Sequence, residues 1–417
     1  MKTLITNIKQ LINVREESRL LRGRDLAVLP SIENAYLIIE KGLIAEYGSM
    51  LNLEPQSRWL SGSNLKQTID ATGQFIFPCW CDSHTHLVFA ASREEEFVDK
   101  IKGMSYAEIA AKGGGILNSA QRLNEIDIDE LYNLSLSRLQ ELMKLGTGAI
   151  EIKSGYGLTV EGELKMLRVI KRLREAAPIP IRSTFLGAHT YPLEYKESHR
   201  GYIDLIINGM LPVIAKENLA DYIDVFCEKG FFSPDETEII CRAGIRYGLK
   251  PKIHANQLSL SGGVETGVRL GAVSVDHLET MDHSTVNILA NSNTIGTLLP
   301  TAAFFLRMPF QPARQMIDAG CAIALASDFN PGSSPSGNMS LVTAMSCIGM
   351  RMLPEEAINA ATINGAFAMD LEHEVGSVTV GKKANLIFTK RIPSLAYLPY
   401  SFGSNLIDKV MINGEII

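Results

Sequence analysis

After about residue 74 the chain repeats one theme, a short β-rich run followed by an amphipathic helical run, and it does so eight times. The β-rich runs are QFIFPCWCDSHTH, GAIEIKSGY, IRSTFLGAHT, YIDVFCE, KIHANQ, SVDHLE, IGTLLP and IALASD. Between them lie segments of helical period such as IDELYNLSLSRLQELMKLG and VEGELKMLRVIKRLREA, and Ser233-Pro-Asp-Glu236 reads as a capping box with proline in the first turn. Strands that alternate with helices pair in parallel, and eight such units favour a ring closed on itself over an open sheet. The expected fold is therefore α/β, a (β/α)₈ TIM-type barrel over residues 75–370.

The flanks break this rhythm. Residues 1–74 contain the strand-like AYLIIEKGLIAEYG, and GSVTVGKKANLIFTK and KVMINGEII in 371–417 are strand-like as well. Two β-rich ends around a barrel are most simply one small β-sandwich domain built from both termini. Residues 90–125, with Gly113-Gly-Gly115 inside, form a long insertion after the first run. It would overhang a barrel mouth, as a lid or as a surface excursion, and Glu94-Glu95-Glu96 within it reads as a solvated face.

Composition narrows the function classes. A net charge of -6 offers no electrostatic reason to bind nucleic acid or an anionic membrane. The N-terminus lacks a secretory pattern, and the apolar stretch TIGTLLPTAAFFLRMPF carries Pro300 and Arg307 and is too short to span a bilayer comfortably, so a cytoplasmic protein is expected. Six dispersed cysteines make no disulfide framework, and Cys79 and Cys81 read as buried thiols.

Active sites of such barrels form at the C-terminal ends of the strands, so the residues ending each run carry the test. Run one ends in His84 and His86, run two in Lys153-Ser-Gly-Tyr156, run three in His189, run four in Glu228, run five in His254, run six in His277 and run eight in Asp328. Five of the eight histidines thus stand at expected strand ends, while His199, His283 and His373 fall elsewhere. Alternation along a strand sends His84 and His86 to one face. A His-x-His pair, a later histidine and a later aspartate directed into one mouth suit a catalytic metal site with room for a water, whose pKa an ion lowers toward about 7.

His84-x-His86, His254, His277 and Asp328, in this order and followed by GSVTVGKKANL, resemble the amidohydrolase superfamily of metal-dependent hydrolases over essentially the whole chain. Within it, EIKSGYGL, FLGAHT, DSHTHLVFAASREEEF and SDFNPGSSP resemble the branch that opens 4-imidazolone-5-propanoate to N-formimidoyl-L-glutamate in histidine degradation. The resemblance implies one zinc or iron ion per chain on His84, His86, His254 and Asp328. It implies substrate contacts from Arg93, Tyr156, His189 and Gln257, with Asn330, Gly332 and Ser333 at the product end. His277 and Asp328 would handle protons while a metal-held hydroxide attacks the ring carbonyl. A homodimer belongs to the same expectation. A guanidinium fork suits a propanoate tail, although Arg93 could instead pair with Glu94, Glu95 or Glu96.

Two positions depart from the superfamily pattern. Cys79 stands where glycine usually follows Pro78, and Asn385 where the tail motif usually has aspartate. Two related chemistries fit less well. Deaminases of this group resemble one another in carrying glutamate three residues after the third metal histidine, where Gln257 cannot shuttle a proton. Two-metal cyclic amidases use a carboxylated lysine at run four, where Glu228 stands, and Lys153 ends run two. A barrel that had lost catalysis would have no reason to keep all four ligands together with Arg93 and His277.

Overall fold

The computed structural model describes residues 2–53, 65–104, 108 and 114–417. Eight parallel strands lie side by side in chain order: Trp80–Thr85, Thr147–Lys153, Ile181–Ala188, Tyr222–Cys227, Lys250–Ala255, Ser274–His277, Ile295–Leu298 and Ile323–Leu325. The ring closes where the eighth strand returns to the first. Asp328 N donates to His84 O at 3.0 Å and His86 N to Phe329 O at 2.9 Å. Deeper in the same seam the Asp82 carboxylate accepts from Ser327 N and Oγ at 2.9 and 2.6 Å. The barrel expected from the alternating runs is the one observed.

Alternation within the strands decides what faces where. In Thr147–Lys153, Ile150 and Ile152 join the large apolar cluster shared with Leu164, Leu167 and Ile170 of helix Val160–Ala176. The intervening Glu151 and Lys153 are therefore sent to the barrel interior. Helix Ile128–Lys144 starts on an Asp127 cap and Val160–Ala176 on a Thr159 cap. Helix Pro234–Arg246 has the full capping box between Ser233 and Glu236 that its sequence announces, a device worth about 1 kcal/mol.

The first run is divided between two sheets. Phe75–Pro78 pairs in parallel with Lys2–Ile12 and antiparallel with Leu386–Thr389, and only Trp80–Thr85 enters the barrel. Pro78 has no N–H to extend a ladder, and the chain changes partner there: Cys79 N donates to Asn385 O and Trp80 N to Gly146 O, each at 2.9 Å. Both halves are apolar, so hydrophobicity alone carries no mark of the switch.

The β domain from both termini is one continuous mixed sheet of eight strands, with Ile5, Leu37, Ile76, Leu386, Phe388 and Met411 in its core. In the 90–125 insertion, helices Glu94–Ile101 and Ile116–Glu125 bring Arg93, Lys100 and Ile116 to the barrel mouth. Residues 105–107 and 109–113, Gly113 of the glycine triplet among them, lie outside the described residues. Glu96 corrects the reading of a wholly solvated triplet: its carboxylate is only 13% exposed and is held by Arg93 and by Gly115 N. Among the described residues no helix is long and apolar enough to cross a membrane, and all six cysteines are free.

Candidate metal centre and adjoining cavity

The histidines that end the strands meet in one place. Ring centroids of His84 lie 5.3 Å from His86, 4.5 Å from His254 and 5.7 Å from His277. The Nε2 atoms of His86 and His254 are 3.4 Å apart, and Asp328 Oδ1 is 3.5 Å from Nε2 of both His84 and His86. All five side chains are buried. His277 and Asp328 both adopt positive φ, 86° and 52°, a conformation uncommon outside glycine though His and Asp are among the residues that take it most readily.

Carboxylates turn two of these rings. His84 Nδ1 lies 2.6 Å from Asp276 Oδ2, and His254 Nδ1 lies 2.9 Å from Asp224 Oδ2. A carboxylate accepts, so His84 Nδ1 carries the proton and its Nε2 keeps its lone pair. His254 Nδ1 lies beside Asp224 without hydrogen-bonding geometry, and Asp224 Oδ1 accepts instead from His254 N at 3.1 Å. The Nε2 of His84 is buried without a hydrogen-bond partner. Beneath these aspartates, Lys153 Nζ reaches Glu151 Oε1 at 2.6 Å and Asp224 Oδ2 at 2.9 Å, and Lys252 makes a second ion pair with Glu151.

Burial, followed by the charges of Lys153 and His254, pulls the His84 pKa well below that of a free imidazole. Burial and then His189 do the same for His86. Both rings are neutral near pH 7. Burial pushes the Asp328 carboxyl up to about 6, against the pull of His277 and His254. For His277, burial is outweighed by Glu279, 3.4 Å from its Nδ1, with Asp328 and Asp276, and the ring is held above its usual pKa. Despite burial, His254 and Lys153 hold Asp224 well below the carboxylate range.

These donors fit a divalent cation. Ligand atoms of His84, His86 and His254 fall within 4.8 Å of one another, as do those of His84, His277 and Asp328. Neutral nitrogens, one carboxylate and an unpartnered buried Nε2 make the chemistry of a single catalytic ion. Lys153 takes no part as a carboxylated ligand, since its ammonium is already held by carboxylates.

The metal end opens into a cavity of about 330 Å³. Arg93, Tyr156, His189, Gln257, Asn330, Gly332 and Ser333, the residues named from sequence, all line it. Their parts differ. His189 Nδ1 donates to Gly155 O at 3.0 Å, which leaves Nε2 as an acceptor, and burial followed by His254 brings its pKa down to about 3. Burial raises the Tyr156 phenol, which stays a neutral donor. Asn330 is spent within its own loop, giving to Asp328 O and Ser333 Oγ and accepting from Gly332 N and Ser333 N. Arg93 pairs with Glu96 at 2.5 Å through one nitrogen, while its Nη1 lies over Gly332, where a Cβ would sit 2.3 Å away.

Sequence reading missed Lys100, Phe226 and Phe231 on the cavity wall and, below it, the charged layer that Lys153, already noted as a strand end, forms with Glu151, Asp224, Lys252 and Asp276. The layer had a signal. EIK, IDV, KIH and VDH each place a titratable side chain inside a parallel strand that should be apolar on both faces.

Comparison with known proteins agrees with this geometry. The sequence profile of the Amidohydrolase family matches residues 75–417. An imidazolonepropionase of Flavobacterium johnsoniae is 57% identical over 418 residues, covering 100% of both chains. Among solved structures, a triazine hydrolase variant superposes with a TM-score of 0.74 at 16% identity, covering 100% of this chain and 94% of that one. A mutant atrazine chlorohydrolase from Arthrobacter aurescens, complexed with zinc and atraton, gives 0.69 at 15% identity, covering 99% and 94%. These two share the fold. With its strand-end histidines gathered at one centre and a full-length relative more than half identical, the chain belongs to the amidohydrolase family, in its imidazolonepropionase branch.

Proposed function

We propose that the chain hydrolyses the ring amide of 4-imidazolone-5-propanoate to N-formimidoyl-L-glutamate, the ring-opening step of histidine degradation in the cytoplasm. One observation carries this reading: Asp328 Oδ1 lies 3.5 Å from Nε2 of both His84 and His86, and His86 Nε2 lies 3.4 Å from His254 Nε2, beside a cavity that Arg93 also lines.

His84, His86, His254 and Asp328 would hold one zinc or iron ion. Such an ion acts as a Lewis acid that lowers the pKa of a bound water toward about 7 and polarises a carbonyl. The protein supplies the rest. Arg93 takes the propanoate carboxylate with the N–H groups that Glu96 leaves free, and so sets the ring at the metal end. His189 offers an acceptor to a ring N–H, and Tyr156 and Gln257 offer donors. Addition of water across the amide makes a carboxylate from the carbonyl carbon and leaves a proton on the departing nitrogen. Asp328, raised by burial, takes a proton from the water, and His277, whose protonated form Glu279 favours, returns one to nitrogen. Ser333, whose Oγ lies 3.3 Å from Asp328 Oδ2, keeps that carboxylate in place.

Purified protein incubated with 4-imidazolone-5-propanoate should abolish the ultraviolet absorbance of the substrate at a rate proportional to enzyme. A metal-loaded, folded preparation that leaves the absorbance unchanged would overturn the reading.

A further inference from the structure

Interior layers of such a barrel are filled by side chains from alternate strands, ordinarily branched and apolar. Here the second, fourth and sixth strands send in Lys153, Asp224 and Asp276, each 0% exposed. Asp224 Oδ2 lies 2.9 Å from Lys153 Nζ and 2.9 Å from His254 Nδ1. Asp276 Oδ2 lies 3.6 Å from the same Nζ and 2.6 Å from His84 Nδ1. One ammonium therefore stands behind both carboxylates, and each carboxylate stands behind one ring of the metal centre. Glu151 and Lys252 complete the set, giving two cations against three anions, all 0% exposed.

We infer that Lys153 is a positioning residue for the metal centre, a single hub that fixes Asp224 and Asp276 and through them the tautomer of His84 and the placement of the His84 and His254 rings. Glu151 tethers the ammonium on the side away from the metal, and Thr184 Oγ1, donating to Glu151 Oε1 at 2.6 Å, steadies that tether. Without the hub two buried aspartates would lose the cation they share and, the rings apart, keep Ser274 Oγ on Asp276 and His254 N on Asp224, so the rings beside them would be less firmly placed. Partners at this remove from a metal typically govern affinity by about 10- to 100-fold.

The inference rests on the proposed metal site, so the test separates the two. A lone loss of Lys153 leaves buried carboxylates uncompensated, a change that unfolds many proteins. The informative variant is the double Lys153→Met, Glu151→Gln, which keeps the net charge of the layer. The control is Glu151→Gln alone, and Lys153→Gln is a second probe of the hub. Metal affinity is read by competition with a chelator, and ligand geometry by the visible spectrum of the cobalt(II)-loaded protein. Expected are a 10-fold or greater loss of affinity and an altered cobalt spectrum in the double variant and in Lys153→Gln, each larger than the effect of Glu151→Gln alone, which reports the tether. Parent-like affinity and spectrum in either hub variant would overturn the inference. So would failure of both to reach the parent's circular dichroism, which would make Lys153 a purely structural residue. A parent protein that holds no metal would instead overturn the reading on which the inference rests.

Discussion

Arg93 shows how a single residue joins sequence to chemistry. Its place just after the histidine pair made it a reader of the substrate tail or a partner of the neighbouring glutamates, and the structure gives it one such partner, Glu96. The pair does not exhaust it, because Nε is buried without a partner and Nη1 faces the cavity over Gly332. Arg93→Met should cost about 2 to 4 kcal/mol of transition-state binding, roughly 30- to 1000-fold in kcat/KM, mainly through KM. An analogue with a neutral amide in place of the carboxylate should lose far less. Equal losses for acid and amide would move tail recognition elsewhere, with Lys100 on the same wall the next residue to test. The strand-end histidines were legible because a titratable residue ending an apolar run has few bland explanations. Lys153 was legible as a strand end but not as the partner of two aspartates, because Asp224 and Asp276 lie on other strands and only the closed barrel brings them to it.

Among the elements, the loop between the second strand and helix Val160–Ala176 best shows what pattern reading leaves out. It carries Tyr156, and its shape depends on a residue of the helix that follows. The buried Glu163 carboxylate accepts from Gly155 N at 3.1 Å, Gly157 N at 2.7 Å and Leu158 N at 3.1 Å. A Cβ at Gly157 would stand 2.2 Å from Glu163 N, so the turn closes onto the helix only with glycine there. The helix itself was plain from its apolar spacing, whereas the polar Glu163 gave no hint that its partners lie in the loop before it. Glu163→Gln keeps one acceptor oxygen and loses the charge, and hydrogen bonds to charged groups are worth about 1.5 to 3 kcal/mol. The variant should keep its metal and lose about 10-fold or more in kcat/KM as Tyr156 and His189 loosen. Unchanged kinetics would show that the loop holds its shape without this carboxylate.

Over the whole molecule, one barrel centre and one joint to the terminal sheet set the remaining expectations. The two ligand groups share His84, and the nearby Lys153 is paired with Glu151 and Asp224, so elemental analysis should find one tightly bound ion per chain. A requirement for two equivalents would overturn the mononuclear centre. Removing the ion should lower Tm without unfolding the chain, because occupancy at 100-fold the Kd contributes about 2.7 kcal/mol and the apolar cores do not depend on it.

The joint explains the two departures from the superfamily pattern, which sequence alone left unconnected. Cys79 N donates to Asn385 O at 2.9 Å, Asn385 Nδ2 donates to Gly148 O at 3.0 Å, and a Cβ at Gly148 would lie 2.3 Å from that of Cys79. The two unusual residues thus meet over one glycine, where the terminal sheet passes into the barrel. Asn385→Asp, which restores the commoner residue, should therefore destabilise this chain. A buried carboxylate would face the Gly148 carbonyl with no proton to give, a loss of about 1 to 3 kcal/mol. Such a carboxyl has a folded pKa above its unfolded value, so between those two values the folded state binds more protons and stability falls as pH rises. Below both values the protonated acid can donate to Gly148 O again. The Tm deficit of Asn385→Asp should thus be largest near pH 8 and shrink toward pH 5, with kcat/KM close to the parent throughout. A deficit that grows on acidification would mean that the aspartate finds a cationic partner at the joint, and that the asparagine is not what holds the sheet to the barrel.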